Sequence, residues 1–219
     1  MWLITAGPTR EPIDSVRYIS NASSGRMAYG IAAAAAARGH PIKVLSGPVA
    51  MPAPAGVEVI DVRSAREMLD EGKRELASAE HSVLMGVAAV ADFRPKQRFA
   101  GKPPKEKGAF TLDLVENPDV LAELGALGRA RICVGFALES FSEEEREAAL
   151  ERARGKRLRK GLDAIVLNEA AAMEAQGSRL CWLGPDGGAE DLGCGDKEWL
   201  AERLVLRVEA LMRERGLLE

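Results

Sequence analysis

A group of hydroxyl and amide side chains precedes a helix rich in alanine. The stretch "SNASSGR" (20–26) contains three serines and Asn21, and six consecutive alanines occupy 32–37. Helix N-termini attract phosphate and carboxylate groups through unpaired N–H groups and the macrodipole. Ordinary N-capping by Ser23 or Ser24 is the alternative, but it would use only one of these side chains. The excess of polar groups therefore predicts a site for an anionic substrate.

A Gly-Pro turn follows the first apolar run, in "WLITAGPTREP" (2–12). Gly7 allows a ligand to approach the main chain closely, and Thr9 and Arg10 have side chains that can bind anionic oxygens. The turn matches neither the dinucleotide fingerprint nor the Walker loop. Taken alone, it predicts either contact with an anion or a tight turn after a strand.

A further group of candidates lies in "GVAAVADFRP" (86–95), after a buried run. The small side chains of Ala88 and Ala89 would let a flat ring lie against the main chain. Asp92 could then contact a sugar or a metal-bound phosphate. The alternative is that the alanines are simply core residues.

Two groups of basic residues could neutralise phosphate charge. The first, in "KQRFAGKPPKEK" (96–107), comprises Lys96, Arg98, Lys102, Lys105 and Lys107. The second contains Lys156 and Lys160, which are four residues apart and would share one face of a helix. Runs of charge are usually solvated surface, and glutamates earlier in the second segment can pair with its lysines.

The chain offers little for covalent catalysis. It has two histidines, His40 and His81, and no evident Ser–His or Cys–His pair. Catalysis by positioning and charge neutralisation, as in nucleotidyl or phosphoryl transfer, is therefore favoured over hydrolysis through a covalent nucleophile. The three cysteines are far apart and form no C-x-x-C motif, which argues against a zinc or disulfide framework.

Composition limits the function further. With 219 residues, 47% of them hydrophobic, the chain can form one α/β domain with its own core. Its net charge of −3 argues against a general binder of nucleic acid or of membrane surfaces. We find no basic region followed by a long apolar run and no segment long enough to span a bilayer, so we expect a cytoplasmic protein.

Short apolar runs alternate with helical patterns along the chain. We predict strands at 2–6, 42–47, 57–62, 82–91, 132–137 and 163–168, helices at 24–38, 64–77, 118–127, 142–161 and 197–215, and a hairpin around 184–188. Ser64 and Glu67 are spaced as a capping box. The alternation predicts an α/β, Rossmann-like three-layer fold with a mainly parallel sheet. Right-handed crossovers would bring the loops that hold most candidate residues to the carboxyl edge of the sheet.

One segment, about 93–116, breaks this alternation. It is polar, basic and rich in Pro and Gly, which predicts a flap and arm that protrude from a single domain spanning 1–219. Within it, "FTLDLV" (110–115) alternates and predicts a strand outside the main sheet.

The motifs together resemble phosphopantothenoylcysteine synthetase, an enzyme of coenzyme A biosynthesis. The resemblance rests on "ITAGPTREPIDSVRYISNASSGRM", "AAVADFRP", "ENPDVL", "VGFALES" and "KRLRKGLDAIVLNE", which cover essentially the whole chain. It implies a ligase in which the carboxylate of 4′-phosphopantothenate attacks the α-phosphate of a nucleoside triphosphate and the amine of L-cysteine then displaces the nucleotide. It also implies Mg²⁺ with CTP as co-substrate, and a homodimer.

The family's site residues carry over by position. Implied as catalytic are Asn21, Lys102 and Arg17. Implied as nucleotide contacts are Gly7, Ala88, Ala89, Asp92, Lys102, Asn117, Pro118, Asp119, Val120, Phe136, Lys156 and Lys160. Implied as substrate contacts are Arg17, Asn21, Ser23, Ser24, Gly25 and Ala89, and no side chain is implied as a direct metal ligand.

The chain departs from the family pattern at several positions. The flap reads "KPPK" where the family has K-x-K-K, so either Lys102 or Lys105 can be the acting lysine. Arg26 and Ala28 replace a Lys and a Gly, and "LNEA" replaces "ANDV". In many bacteria a flavin-dependent decarboxylase precedes this domain, so we expect a free-standing synthetase or a domain cut from such a fusion.

Two other functions stay open. The chain could be a non-catalytic Rossmann-like nucleotide-binding module, or a flavin-dependent decarboxylase, although the catalytic histidine of that enzyme has no evident match. Base choice between CTP and ATP depends on main-chain geometry, and we expect CTP because the compact "AAVAD" segment suits a pyrimidine.

Overall fold

The computed structural model describes residues 1–101, 111–139, 141–169 and 178–219. The strands are β1 (Trp2–Ala6), β2 (Arg10–Pro12), β3 (Tyr18–Ser20), β4 (Ile42–Ser46), β5 (Val57–Asp61), β6 (His81–Gly86), β7 (Phe93–Pro95), β8 (Leu114–Glu116), β9 (Ala130–Glu139), β10 (Ala164–Glu169), β11 (Ser178–Leu183) and β12 (Ala189–Gly195). The helices are α1 (Arg26–Ala37), α2 (Ala65–Ser78), α3 (Val120–Ala126), α4 (Arg146–Arg159) and α5 (Lys197–Glu214), with a 3₁₀ turn at Glu143–Glu145.

The main sheet has eight strands in the order β12-β11-β10-β9-β6-β1-β4-β5. Six neighbouring strands, from β10 to β5, are parallel to one another. Strand β11 is antiparallel to β10, and β12 is antiparallel to β11. The chain builds outward from β1 to β5 and then returns to the other side of β1 at β6. This reversal of strand order lies between β1 and β6, and ligands of open α/β sheets bind beside such a point. The predicted mainly parallel α/β fold is confirmed.

Apolar residues alternate along the strands and so cover both faces of the sheet. One face packs against α1 and α5 through side chains that include Trp2, Ile4, Val44, Met85, Val134 and Val166. The other face packs against α2 and α3 through Leu3, Leu45, Leu84 and Cys133. A third cluster, around Ile165 and Leu167, lies under α4. The three-layer arrangement therefore follows from the alternation of the strands.

A buried carboxylate joins the end of α1 to α5. Glu209, which is 3% exposed, accepts hydrogen bonds from the guanidinium of Arg38 at 2.7 Å and faces Nε2 of His40 at 2.9 Å. The bonds from Arg38 hold the pKa of Glu209 at about 2. This ion pair lies at the amino ends of the strands, opposite the candidate site.

Most predicted elements are confirmed, with shifts at their ends. Ser64 caps α2 by accepting from the N–H of Glu67 at 3.2 Å, as predicted. Asp119, and not a first-turn Pro118, begins α3, because its side chain accepts from the N–H of Ala122. The strand predicted at 82–91 ends at Gly86, because the chain leaves the ladder there.

Three short strands were not predicted from the sequence, and one predicted strand is displaced. The strands not predicted are β2 and β3, which form a hairpin after the Gly-Pro turn, and β7. The predicted strand 110–115 is β8, which begins at Leu114 and pairs with β7 outside the main sheet. Phe110, Lys102 and Lys105 lie outside the described residues.

No helix among the described residues is long and apolar enough to cross a membrane.

Three glycines allow the main chain to pack closely at the carboxyl edge of the sheet. Gly7 and Gly25 have φ angles of +70° and +74°, which side chains disfavour. A Cβ added to Gly47 would lie 2.0 Å from the carbonyl oxygen of Pro8. The turn after β1, the turn after β4 and the start of α1 therefore meet at one point.

We predict that Gly47→Ala lowers the free energy of unfolding by about 3 kcal/mol or more, because a main-chain carbonyl would have to move. Gly101→Ala is the control, since a Cβ there would meet nothing within 4 Å, and its effect should stay within about 0.5 kcal/mol. Urea unfolding of both variants measures the difference. Equal midpoints for the two variants would contradict the close contact.

Candidate functional site

The main chain after β6 forms an irregular wall, residues 87–92, at the reversal of strand order. Its N–H groups are held by two threonine hydroxyls: Thr5 accepts from Ala88 at 3.3 Å and Thr9 accepts from Ala91 at 3.0 Å. Main-chain bonds between Ala89 and the turn after β1 add to these. Because buried polar groups need partners, these bonds replace the missing strand ladder and fix the shape of the wall.

Asn21 lies against this wall at the end of β3. Its amide nitrogen donates to the carbonyl oxygens of Ala89 and Val90, both at 3.1 Å. Both partners are acceptors, so they fix the amide orientation and occupy both of its hydrogens. The side-chain amide oxygen of Asn21 makes no hydrogen bond to another described residue and is left as an acceptor at an exposed position.

The serine-rich turn does not cap α1. Gly25 precedes the helix, and no side chain accepts a hydrogen bond at this end. Ser23 instead accepts weakly from the N–H of Gly25 at 3.4 Å, and Ser24 is exposed. The capping alternative is therefore wrong. The first-turn N–H groups remain without a side-chain partner and can bind an oxyanion.

The side chains of Thr9 and Arg10 both contact other parts of the protein. Thr9 is fully buried and its hydroxyl holds Ala91, so it stabilises the wall and is not exposed to an anion. The guanidinium carbon of Arg10 lies 4.6 Å from the centre of the Tyr18 ring, so Arg10 packs on β3.

Asn117 connects the far end of the wall to the segment before α3. Its N–H donates to Asp92 and its amide nitrogen donates to Ala91, both at 2.8 Å. Its amide oxygen accepts from Arg94 at 3.2 Å. The carboxylate of Asp92 is exposed beside this connection and makes no ion pair with another described residue.

Asp119 joins α3 to α4. One carboxylate oxygen caps α3 at Ala122, and the other lies 2.7 Å from Nζ of Lys160. Lys156 lies one turn earlier on α4, is half-buried, and forms no ion pair with another described residue. Of the two predicted phosphate-facing lysines, only Lys160 is paired with a carboxylate of the described residues.

Two glycines let α3 approach the sheet. Gly86 of β6 and Gly135 of β9 are paired across the ladder, and a Cβ on either would fall within about 3 Å of the Leu121 side chain. On the opposite face of β9, the next residue, Phe136, is half-buried and packs on the core under α1 and α5. Two predicted nucleotide contacts, Val120 of α3 and Phe136 of β9, therefore pack on opposite faces of the sheet.

Arg17 lies in the turn between β2 and β3 and is held by Asp14. The guanidinium donates to Asp14 Oδ2 at 2.8 Å, and the N–H groups of Val16 and Arg17 donate to Oδ1 at 2.7 Å. These bonds, that from the Arg17 N–H above all, hold the pKa of Asp14 at about 2. The sequence analysis missed Asp14, although its spacing from Arg17 in "IDSVR" was a readable signal.

The structure thus brings most of the predicted site residues to one edge. Hydrogen bonds, one ion pair and short covalent segments together link the following residues: Gly7, Asn21, Ala88, Ala89, Asp92, Asn117, Asp119 and Lys160. Pro118, Val120, Ser23, Ser24 and Gly25 border them in the chain. Lys102 is the one predicted catalytic residue outside the described ranges.

Neither histidine reaches this edge. His40 precedes β4 and stacks on Trp2 with ring centres 4.7 Å apart, and His81 is the first residue of β6. Both lie at the amino ends of parallel strands. Burial lowers the pKa of His81, and burial raises the pKa of the Cys133 thiol to about 11, so neither side chain is suited to act as an acid or a nucleophile here.

The chain is similar to known proteins over most of its length. The family model of the DNA/pantothenate metabolism flavoprotein C-terminal domain matches residues 1–212. The coenzyme A biosynthesis bifunctional protein CoaBC of Escherichia coli (strain K12) is 44% identical over 173 residues, which are 77% of this chain and 41% of that protein. The chain spans about half or less of the length of the curated relatives it matches.

Two solved structures extend the comparison. The C-terminal domain of a CoaBC protein superposes with a TM-score of 0.78, at 32% identity and with 97% of each chain covered. A Cab2 mutant in complex with phosphopantothenate-cysteine has a TM-score of 0.75 at 18% identity, covering 97% of this chain and 86% of that one, and so shares the fold. Since the family model covers nearly all of the sequence, the chain belongs to the family of DNA/pantothenate metabolism flavoprotein C-terminal domains.

Proposed function

We propose that the chain is a ligase that joins 4′-phosphopantothenate to L-cysteine through an acyl-nucleotide, releasing pyrophosphate and a nucleoside monophosphate. The observation that carries the proposal is the fixed acceptor of Asn21 beside the uncapped start of α1. The E. coli relative is a coenzyme A biosynthesis protein, and a structure of the same fold holds phosphopantothenate-cysteine. Both facts support the proposal.

In the first half-reaction, a carboxylate oxygen of phosphopantothenate forms a bond to the α-phosphorus as the bond to pyrophosphate breaks. No group on the chain has to take up a proton, so catalysis consists of alignment and charge neutralisation. The first-turn N–H groups of α1 can supply that neutralisation, together with Lys156, which forms no ion pair with another described residue. Lys102 is proposed to add a cation as pyrophosphate leaves.

In the second half-reaction, the cysteine nitrogen attacks the acyl carbon and the bond from that carbon to the phosphate oxygen breaks. The nitrogen loses a proton to solvent or to the departing phosphate. Since both amide hydrogens of Asn21 are bonded to the wall, Asn21 can only accept, and it would orient the amine through one N–H.

Magnesium would enter with the nucleotide. The described residues contain no group of three or more His, Cys, Asp or Glu side chains that could hold a metal ion. Mg²⁺ commonly binds through one or two carboxylates together with substrate phosphates and water. The exposed carboxylate of Asp92 fits that arrangement, and the ion would neutralise phosphate charge.

We also propose that CTP is the preferred triphosphate. In the wall, the carbonyl of Ala88 and the N–H of Val90 make no hydrogen bond to another described residue. An acceptor and a donor two residues apart can bind the edge of a base, and the small side chains leave room for a compact pyrimidine. A site built on such bonds rejects bases that cannot form them.

A homodimer is the third part of the proposal. The hairpin β7–β8 forms a separate two-stranded sheet, and Phe93 and Leu114, on one face of it, are 48% and 46% exposed. Tyr18 and Val16 of the neighbouring hairpin are also exposed. Two-stranded sheets are marginal alone, and an exposed apolar edge favours pairing with a second chain.

We expect pyrophosphate release that requires both CTP and phosphopantothenate, and phosphopantothenoylcysteine after cysteine is added. The kcat/KM with CTP should exceed that with ATP by about tenfold or more. Coupled pyrophosphate detection and mass spectrometry of the product measure both. No release with any triphosphate would favour a non-catalytic nucleotide-binding module, and equal or better use of ATP would contradict the base assignment.

Two variants should separate the half-reactions. Lys102→Ala should slow acyl-nucleotide formation by on the order of 10²-fold, as when an electrostatic stabiliser is lost. Asn21→Asp would face two carbonyl oxygens with a carboxylate, and it should slow amide formation more than pyrophosphate release. Incubation without cysteine, followed by mass spectrometry, reveals the acyl-nucleotide. The roles are reversed if Lys102→Ala accumulates the intermediate and Asn21→Asp makes none.

Sedimentation tests the dimer. The wild-type chain should sediment as a dimer at micromolar concentration, and Phe93→Glu should shift it to a monomer by placing a charge on the apolar face. Leu206→Glu is the control, because Leu206 is equally exposed, at 48%, but lies on α5. A fully active wild-type monomer would exclude the dimer as part of the site.

A further inference from the structure

Thr9 bonds to the wall on both sides of a single residue. The Thr9 N–H donates to the carbonyl of Ala89 at 3.3 Å, and the Thr9 hydroxyl accepts from the N–H of Ala91 at 3.0 Å. Thr9 is fully buried, so its hydroxyl depends on partners within the protein. Val90, which lies between the two bonded residues, is therefore held at both of its neighbours.

The bond to Ala91 departs from a parallel ladder. The Gly7 carbonyl accepts from Ala89 at 2.9 Å and the Ala89 carbonyl accepts from Thr9, as in a parallel pair. A continuing ladder would next join the Ala91 N–H to the Thr9 carbonyl. Instead the Thr9 hydroxyl takes that N–H, and the Thr9 carbonyl accepts from the Ser20 hydroxyl at 2.7 Å. The ladder thus ends at Ala89 because a side chain replaces a main-chain acceptor.

The residue left outside the ladder has one of the two groups proposed above to bind the base. The Val90 N–H and the Ala88 carbonyl make no hydrogen bond to another described residue. This donor and this acceptor match ring nitrogen N3 and the amino group of cytosine. Uracil presents a donor and an acceptor at the same two positions, so it would face each main-chain group with one of its own kind.

We infer that Thr9 is a specificity-determining residue that positions the Val90 N–H and so selects cytosine over uracil. The inference rests on the proposed function, in which the wall binds the base of the triphosphate. Because Thr9 is fully buried, it would act on the base only through the wall. A hydrogen bond weakens steeply as its angle closes, so a rotation of the Val90 peptide would reduce the discrimination.

The test compares Thr9→Val, which keeps the shape of threonine, with Thr9→Ser, which keeps its hydroxyl. In the wild-type enzyme, kcat/KM for CTP should exceed that for UTP by about 10²-fold or more. In Thr9→Val, the Ala91 N–H has only the main-chain carbonyl of position 9 to bond to, and continuing the ladder would turn Val90. The ratio of the two kcat/KM values should then fall about tenfold, whereas Thr9→Ser should keep it within about threefold.

Ser46→Ala is the control for the loss of a buried hydroxyl. Ser46, at the end of β4, is 1% exposed and bonds to the Tyr29 hydroxyl at 3.0 Å and to the Gly47 carbonyl at 2.8 Å. It should lower the midpoint of urea unfolding, as Thr9→Val should, but keep the ratio for CTP and UTP within about threefold. If Thr9→Val does not fold, Thr9→Cys takes its place, because a thiol is only a weak acceptor.

The outcomes separate this inference from the proposed function. An unchanged ratio in Thr9→Val, or an equal fall in Ser46→Ala, would overturn the inference alone. A wild-type enzyme that uses UTP as well as CTP would overturn the inference while the ligase assignment stands. A wild-type chain without ligase activity would overturn the proposed function and this inference with it.

Discussion

The contact between the main chain after β1 and the main chain after β4 determines where the candidate site lies. A single methyl group on Gly47 would have to fit 2.0 Å from the Pro8 carbonyl oxygen. Gly7 and Gly25 meet at the same place with left-handed backbones. Because no side chain separates these segments, the start of α1 lies directly at the reversal of strand order. The Gly7 carbonyl then accepts from Ala89, which places the wall 87–92 relative to the helix.

The wall itself depends on side chains because it has left the sheet. A regular strand satisfies its polar groups through its neighbours, but residues 87–92 bond to Thr5, Thr9, Asn21 and Asn117. These bonds hold the main chain of the wall in one shape, and the loss of any one of them would leave a polar group without its partner. A side chain that completes the network and also presents a free atom to a ligand is therefore held with little freedom. Asn21 is in that position.

The strands and the sheet, which depend on hydrophobic alternation, could be predicted from the sequence. The features that depend on local polar contacts could not. The runs at 42–46 and 57–61 are apolar and β-branched, so strands and the parallel sheet could be predicted from them. The hairpin β2–β3 could not, because strands of three residues, one containing Pro12, are too short to show a period. The role of Thr9 was misjudged because a hydroxyl binds an anion or a buried N–H equally well, and only burial distinguishes the two. Asp14 was missed because its carboxylate bonds to residues of its own turn, Val16 and Arg17, which follow no hydrophobic period.

The absence of charge on Asn21 suits the charge of the proposed substrates. Phosphopantothenate and a triphosphate are both polyanions, so a carboxylate at the position of Asn21 would repel them while accepting from the amine. An amide accepts without that repulsion, and the carbonyls of Ala89 and Val90 keep it turned with its oxygen outward. The buried carboxylate of Asp14 is tolerated nearby because Arg17 neutralises it and remains partly exposed. In the proposed reaction the hairpin would present the neutral acceptor of Asn21 to the substrate, while the buried charge of Asp14 is paired within the turn.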